Sequence, residues 1–261
     1  MHSSDTTLPT TIDEVISSLD QIVNECQNSR NRMGYFPAVY NRVTRRVKQK
    51  IITGAFEDNQ RMERFDVIFA NRYLAAHHAY HKGSPHSESW AVTFNAANKW
   101  GPMVIQHLLA AMNAHISLDL GIAAAETEVQ DLDSLKNDFD QINDILDSLV
   151  DEVEQELREI FRPLHTIDKL TGNVYKSVAH VGIVKSRNIA WSVAQEYSKL
   201  QSDSARQAYI QARDQHVALI GKQILWPPVP VRFMTGQFRF LEKGSIGYKV
   251  NVLNRHTNEL S

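Results

Sequence analysis

The chain has little cysteine, glycine or proline and no excess of charge of either sign. One cysteine, Cys26, in 261 residues excludes a disulfide scaffold and any Cys-rich zinc module. Eleven glycines and eight prolines are few for this length, which disfavours a turn-rich β fold and favours helices. Lys plus Arg is 28 against 30 for Asp plus Glu, a net charge of −2. That balance argues against a protein built around nucleic acid or an acidic membrane. No apolar run is both long enough and free enough of charge to span a bilayer. The nearest, from Ile105 to Ala125, carries His107, Asn113, His115 and Asp119. The opening MHSSDTTLPTT has neither a basic start nor an apolar core of leader length, so a cytoplasmic location is expected. Also missing are a Gly-rich phosphate loop, a dinucleotide fingerprint, a nucleophile elbow, HExxH and the paired Glu-x-x-His of di-iron bundles. What is present, 43% hydrophobic and 22% charged residues, is ordinary globular composition with chain enough for a substantial core.

The apolar periodicity is helical for most of the length. Thr11 and Glu14 form a capping-box signature, and Ile12, Val15, Ile16, Leu19, Ile22, Val23 and Cys26 then mark one face. Pro37 suits the start of a second helix to about Ile52. Arg42, Arg45, Arg46, Lys48 and Lys50 make that helix basic, which reads as a solvated face. Further helices are predicted from Gln60 to His81, Glu88 to Trp100, Pro102 to Ala125 and Ser134 to Phe161. The last has an acidic outer face read as solubilising. Pro163 and Thr171-Gly172-Asn173 punctuate a looser stretch. Helical patterns then return over Val181–Leu200 and over Ser204–Leu225, the latter capped by Asp203. After Trp226-Pro227-Pro228-Val229-Pro230 the pattern alternates weakly, which predicts extended structure or a hairpin. The expected fold is all-α: a single-domain bundle of roughly seven or eight helices over residues 1–225. Residues 226–261 would be a Pro-rich turn and an extended tail packed on it.

Chemistry concentrates in HLLAAMNAHISLDLGIAAA. Its apolar residues run almost all the way round, the mark of a central helix. Yet it holds His107, Asn113, His115 and Asp119, polar groups that need partners if buried. His107, His115 and Asp119 share a stripe of four-residue steps. An i, i+4 His–Asp pair can place an imidazole and a carboxylate on one metal ion, or bond to each other with the Asp fixing the His tautomer. The predicted third helix offers a facing stripe of Glu63, Asp66, Tyr73 and His77, with Asn71, Arg72 and His78 beside it. Packed together, the two stripes would project His and carboxylate side chains inward, as bundle metal sites do. A buried network that only specifies packing accounts for the same residues. His81, His86 and His256 read as exposed, and His165, His180 and His216 have no partner spacing.

FANRYLAAHHAY, the Trp90-bearing helix, HLLAAMNAHISLDLGIAAA, NDFDQINDIL and SRNIAW together resemble a family of uncharacterised, mostly bacterial proteins known only as a domain of unknown function. The resemblance spans about Ile51 to Trp191 and implies an all-helical domain without an established activity. Its motif positions mark Asp66, Asn71, Arg72, Tyr73, His77, His107, Asn113, His115, Asp119, Asp138 and Arg187 as the polar constellation. His115-x-x-x-Asp119 is also similar to the metal-holding spacing of all-helical zinc-dependent phospholipases C, whose N-terminal Trp this chain lacks.

Three functions fit these residues. The first is a small-molecule hydrolase or lyase using a divalent metal, zinc or iron, held among His77, His107, His115, Asp119 and Asp66. The second is a metal-free cyclase or isomerase of a lipophilic metabolite, in which His115–Asp119 is an oriented acid/base and Tyr73 or Arg72 positions the substrate. For an enzyme of either kind the expected catalytic residues are His115, Asp119, Tyr73 and Arg72, with Asn71, Asn113, Trp90 and Arg187 binding substrate. The third is a non-catalytic ligand-binding or structural protein. The expected partner is a small-molecule substrate; nucleic acid and a membrane span are not expected.

Overall fold

The computed structural model describes residues 7–128, 131–163 and 174–255. Residues 1–6 and 171–173, His165, His256 and the side chain of His180 fall outside the described residues, and so do the expectations placed on them. Helix α1 (Ile12–Ser29) begins where the sequence places it. Thr11 Oγ1 accepts from the Glu14 amide at 3.2 Å, and the seven predicted apolar residues are its buried face. It is followed by α2 (Tyr35–Ile52), α3 (Asn59–Lys82) and α4 (Glu88–Ala97). The central α5 runs over Val104–Thr127 and contains a π-helical turn, His115–Leu120. Then come α6 (Lys136–Ile160), α7 (Val174–Ser198) and α8 (Asp203–Leu225). Ser202, not Asp203, caps α8, its hydroxyl accepting from the Ala205 amide at 3.2 Å.

The tail corrects the sequence reading. Residues predicted to be extended form α9 (Val229–Leu241) and α10 (Ile246–Asn254), so the described residues contain ten helices and no strand. Pro228 lies outside α9 and Pro230 within its first turn, where a missing N–H costs nothing. Ser245 caps α10, and Val250 and Leu253, a helical step apart, are fully buried against the bundle. Weak alternation in a short segment could not discriminate between a strand and this helix face.

Helix α5 is apolar and long enough to cross a membrane by length and composition alone; here it is the buried axis of the bundle. Helix α8 is fastened along it. The Gln106 amide donates to the Ile224 carbonyl at 2.7 Å, Asn113 to the Val217 carbonyl at 2.9 Å, and Arg213 to the Ser117 carbonyl inside the π turn at 3.0 Å. On the other side α7 lies so close that a Cβ at Gly121 would stand 2.3 Å from the Ala190 carbonyl oxygen. The π turn is thus clamped from two sides.

The charged faces of α2 and α6 also differ from expectation. They are not two solvated surfaces, because each meets the other. Arg42, fully buried, forms a bidentate pair with Glu156 at 2.7 and 2.9 Å, and Arg46 pairs with Glu152. Asp138 at the start of α6 accepts from the amides of Glu57 and Asp58 and from Arg61, at 2.7, 3.1 and 2.8 Å, tying the α2–α3 turn to the bundle.

Candidate functional site

Helices α3, α4 and α5 meet at Asp119. Helix α4 is set by Asp214 of α8, whose carboxylate accepts from the Glu88 and Ser89 amides at 2.6 and 2.9 Å. An anion at a helix N-terminus is favourably placed. This fixes Trp90 one residue further on, and its indole N–H donates to Asp119 Oδ2 at 2.8 Å. From α3, Arg72 Nε donates to Asp119 Oδ1 at 3.0 Å. The carboxylate is therefore buried but doubly held, which makes a charged group tolerable there.

His115 lies one step behind it on the π turn, which bonds each amide five residues back and recurs at functional sites. The ring stacks on Phe69 with centroids 3.7 Å apart and an angle of 12°, and meets the edges of Tyr40 at 4.5 Å and Phe36 at 5.4 Å. Trp90 and Tyr73 complete an aromatic cage. Nδ1 is 3.6 Å from Asp119 Oδ2, beyond hydrogen-bond range, and neither ring nitrogen has a protein partner. Burial holds the imidazole below its ordinary pKa against the opposing pull of Asp119, so it is neutral at neutral pH.

Around this ring, further polar atoms are buried without a protein partner: the hydroxyls of Tyr40 and Tyr73 and Oδ2 of Asp66. Burial pushes both phenols well above their ordinary range, with Asp66 adding to the effect at Tyr40. Burial, then the nearby Glu63 charge, lifts the Asp66 carboxyl to about 7.

In front of Asp119 opens a cleft of about 550 Å³. Its floor is apolar, from Leu8, Ile68 and the alanines of α3, and its polar wall is Asn71, Arg72, Asp119 and Glu126. The Asn71 amide donates to the Pro9 carbonyl at 2.8 Å, which holds the segment before α1 against the cleft. His86, expected in solvent, is half-buried on the rim.

The predicted residues therefore divide. Asn71, Arg72, Trp90 and Asp119 line the cleft, with His115 and Tyr73 behind them. The five residues expected as metal ligands are not brought to one point. Among the described residues no three His, Cys, Asp or Glu side chains are grouped so as to hold a metal ion. His77 packs against His81 and Phe94, and His107 borders a void of about 20 Å³ with Arg32 and Tyr35. Burial lowers both imidazoles to about 3, helped at His77 by His81 and at His107 by Arg32 and Arg239. Asn113 and Arg187, expected to bind substrate, fasten helices. Arg187 donates to the Phe139 carbonyl and lies 4.2 Å over its ring, away from the cleft.

Sequence reasoning missed Phe36, Tyr40 and Phe69. Phe36 and Tyr40 stand four apart on α2, a signal hidden beneath that helix's basic run.

The family described as "Family of unknown function (DUF5995)" matches residues 12–227, and the chain belongs to it. Nothing among curated proteins and nothing among solved structures matches the chain. The matched span holds every residue of the cleft wall from α3 to α5 and ends before α9 and α10.

Proposed function

We propose that this protein is a metal-free enzyme for a small, largely apolar molecule that carries a polar head group. The apolar floor of the cleft suits the body of such a molecule, and Arg72 is placed to bind an acceptor oxygen at its head. Asp119 would move the proton. The neutral, unbonded imidazole of His115, 3.6 Å behind it, would accept or return that proton through a small shift of either side chain. Isomerisation or cyclisation needs no more than a positioned acid and base in a place that excludes water, and the aromatic cage provides the exclusion.

One observation carries this reading. Asp119 alone belongs at once to the cleft wall, to the π turn and to the contacts with Arg72, Trp90 and His115. The test uses a library of lipophilic metabolites incubated with the protein in heavy water. Compounds that quench the fluorescence of Trp90, judged against Trp90→Phe, should gain deuterium at a carbon. Asp119→Asn should retain binding and lose that exchange. Compounds that bind without exchange or turnover in either protein would leave a non-catalytic binding cleft in its place.

A further inference from the structure

Helix α9 carries an apolar face that is exposed among the described residues. Its inner side is fixed: Arg239 donates to the Trp100 carbonyl at 3.0 Å and pairs with Glu242 at 3.1 Å. Glu242 in turn accepts from the Val104 amide at 2.7 Å at the start of α5. The outer side is bare. Val229, Phe233 and Phe240 fall on one helical face at steps of four and seven, and they are 68%, 70% and 72% exposed. Trp100, in ring contact with Phe240 at 4.8 Å, extends the patch, and Trp226 precedes the helix. An aromatic patch of this kind marks an interaction surface rather than scattered surface apolarity.

Its charge identifies the occupant. From Trp226 to Leu241 there is no Asp or Glu. Arg232, Lys243 and Lys99, the neighbour of Trp100, are exposed around it. Glu242, the first carboxylate after the helix, has a buried side chain neutralised by Arg239 and Lys249. A two-fold contact with a second copy would set this basic rim against itself, which opposes self-association. Phe and Trp side chains on an amphipathic helix, ringed by cations, complement an anionic lipid surface. The whole-chain charge of −2, which argues against an acidic-membrane partner when taken alone, averages over this local excess.

We infer that α9 with Trp100 is a peripheral docking face for anionic membranes, holding the protein at a lipid surface without spanning it. The full-length protein is to be sedimented with vesicles of phosphatidylcholine alone and of equal parts phosphatidylcholine and phosphatidylserine. Binding is expected to the mixed vesicles and to weaken as salt rises. The double variant Phe233→Ser with Phe240→Ser should bind about tenfold or more weakly, with its melting temperature unchanged because both side chains face outward. Arg232→Glu should lose affinity only for the mixed vesicles. Phe233→Trp should bind normally and shift its emission to the blue on vesicle addition. Absence of wild-type binding to the mixed vesicles would overturn the inference. So would equal binding by the double Ser variant, or a lipid-independent dimer, seen by sedimentation, that the same variant abolishes.

Discussion

Between α2 and α6 buried ions of opposite sign are paired, whereas around His115 several buried polar atoms, both imidazole nitrogens among them, have no protein partner. Arg42 has both terminal nitrogens on Glu156, and Asp138 receives three donors on two oxygens. Tyr40, Tyr73, Asp66 and His115 are also buried, but no ion pair engages their open atoms, which at His115 are both ring nitrogens. Folded proteins rarely leave buried polar atoms unbonded, so exceptions call for an explanation. Charge pairing accounts for the first region, although Nε of Arg42 and of Arg61 is open there too. It does not explain the second, which borders the cleft and centres on a π turn. A polar network that specifies architecture is closed, and one that faces chemistry keeps capacity open to water or a ligand.

The largest effect should come from opening the closed region. With Arg42 fully buried and Glu156 nearly so, Arg42→Ala removes the bidentate partner of a buried carboxylate and should cost about 3–5 kcal/mol in urea unfolding. Replacing the pair together, Arg42→Met with Glu156→Leu, should cost far less, because both buried charges of the pair go at once. A double variant as damaged as the single would mean that this network does more than pair its own charges.

How the two regions read from sequence follows from the same difference. Among the first eight helices the clearest were legible through a continuous apolar stripe, as in α1, whose seven predicted residues are its buried face, and α5 through apolar residues almost all the way round. The cleft wall was legible because polar residues such as Asp119 and Arg72 interrupt such stripes. The pairing of α2 with α6 was not, since Arg42 and Glu156 lie 114 positions apart and a charge run looks the same whether it meets water or another helix. Convergence failed for a related reason. His77 and His107 stand at ligand-like spacings on their own helices, but spacing along one helix says nothing of the rotation that decides which faces meet. The π turn was invisible because hydrophobic periodicity over six residues cannot discriminate it from an α turn.

The open region should reveal itself through pH. Asp66 titrates near 7 in the folded protein against 3.8 as an ordinary carboxyl. A folded pKa above the unfolded one means that the favourable state is the protonated one. Stability from this site is full below 3.8 and is lost as pH rises toward 7. Asp66→Asn should therefore stabilise the protein by on the order of a few kcal/mol near pH 8 and leave it unchanged near pH 4. His77 and His107 act in the opposite sense. Their folded values of about 3 lie below the ordinary 6.5, so stability falls as pH drops from 6.5 toward 3. Thermal melts of wild type and Asp66→Asn across that range separate the two. A constant difference between them at every pH would show that Asp66 has a partner in solution and belongs with the closed networks.

The smallest effect on stability should come from an isosteric change, His115→Phe, at the centre of the open region. Asp119 is held by Arg72 and Trp90, so losing the imidazole strands no carboxylate. Neither imidazole nitrogen has a protein partner to lose, and the ring sits among Phe36, Tyr40 and Phe69. His115→Phe keeps an aromatic ring of similar shape and should change stability by about 1 kcal/mol or less. His115→Ala empties the cage and should cost about 3–5 kcal/mol, as truncation of a buried ring does. The contrast isolates chemistry from packing. His115→Phe should bind cleft ligands as wild type does and should not exchange their protons, whereas a structural histidine would leave exchange intact. If His115→Phe instead unfolds as readily as Arg42→Ala, the imidazole nitrogens are bonded in solution, and the centre of the open region is part of the scaffold.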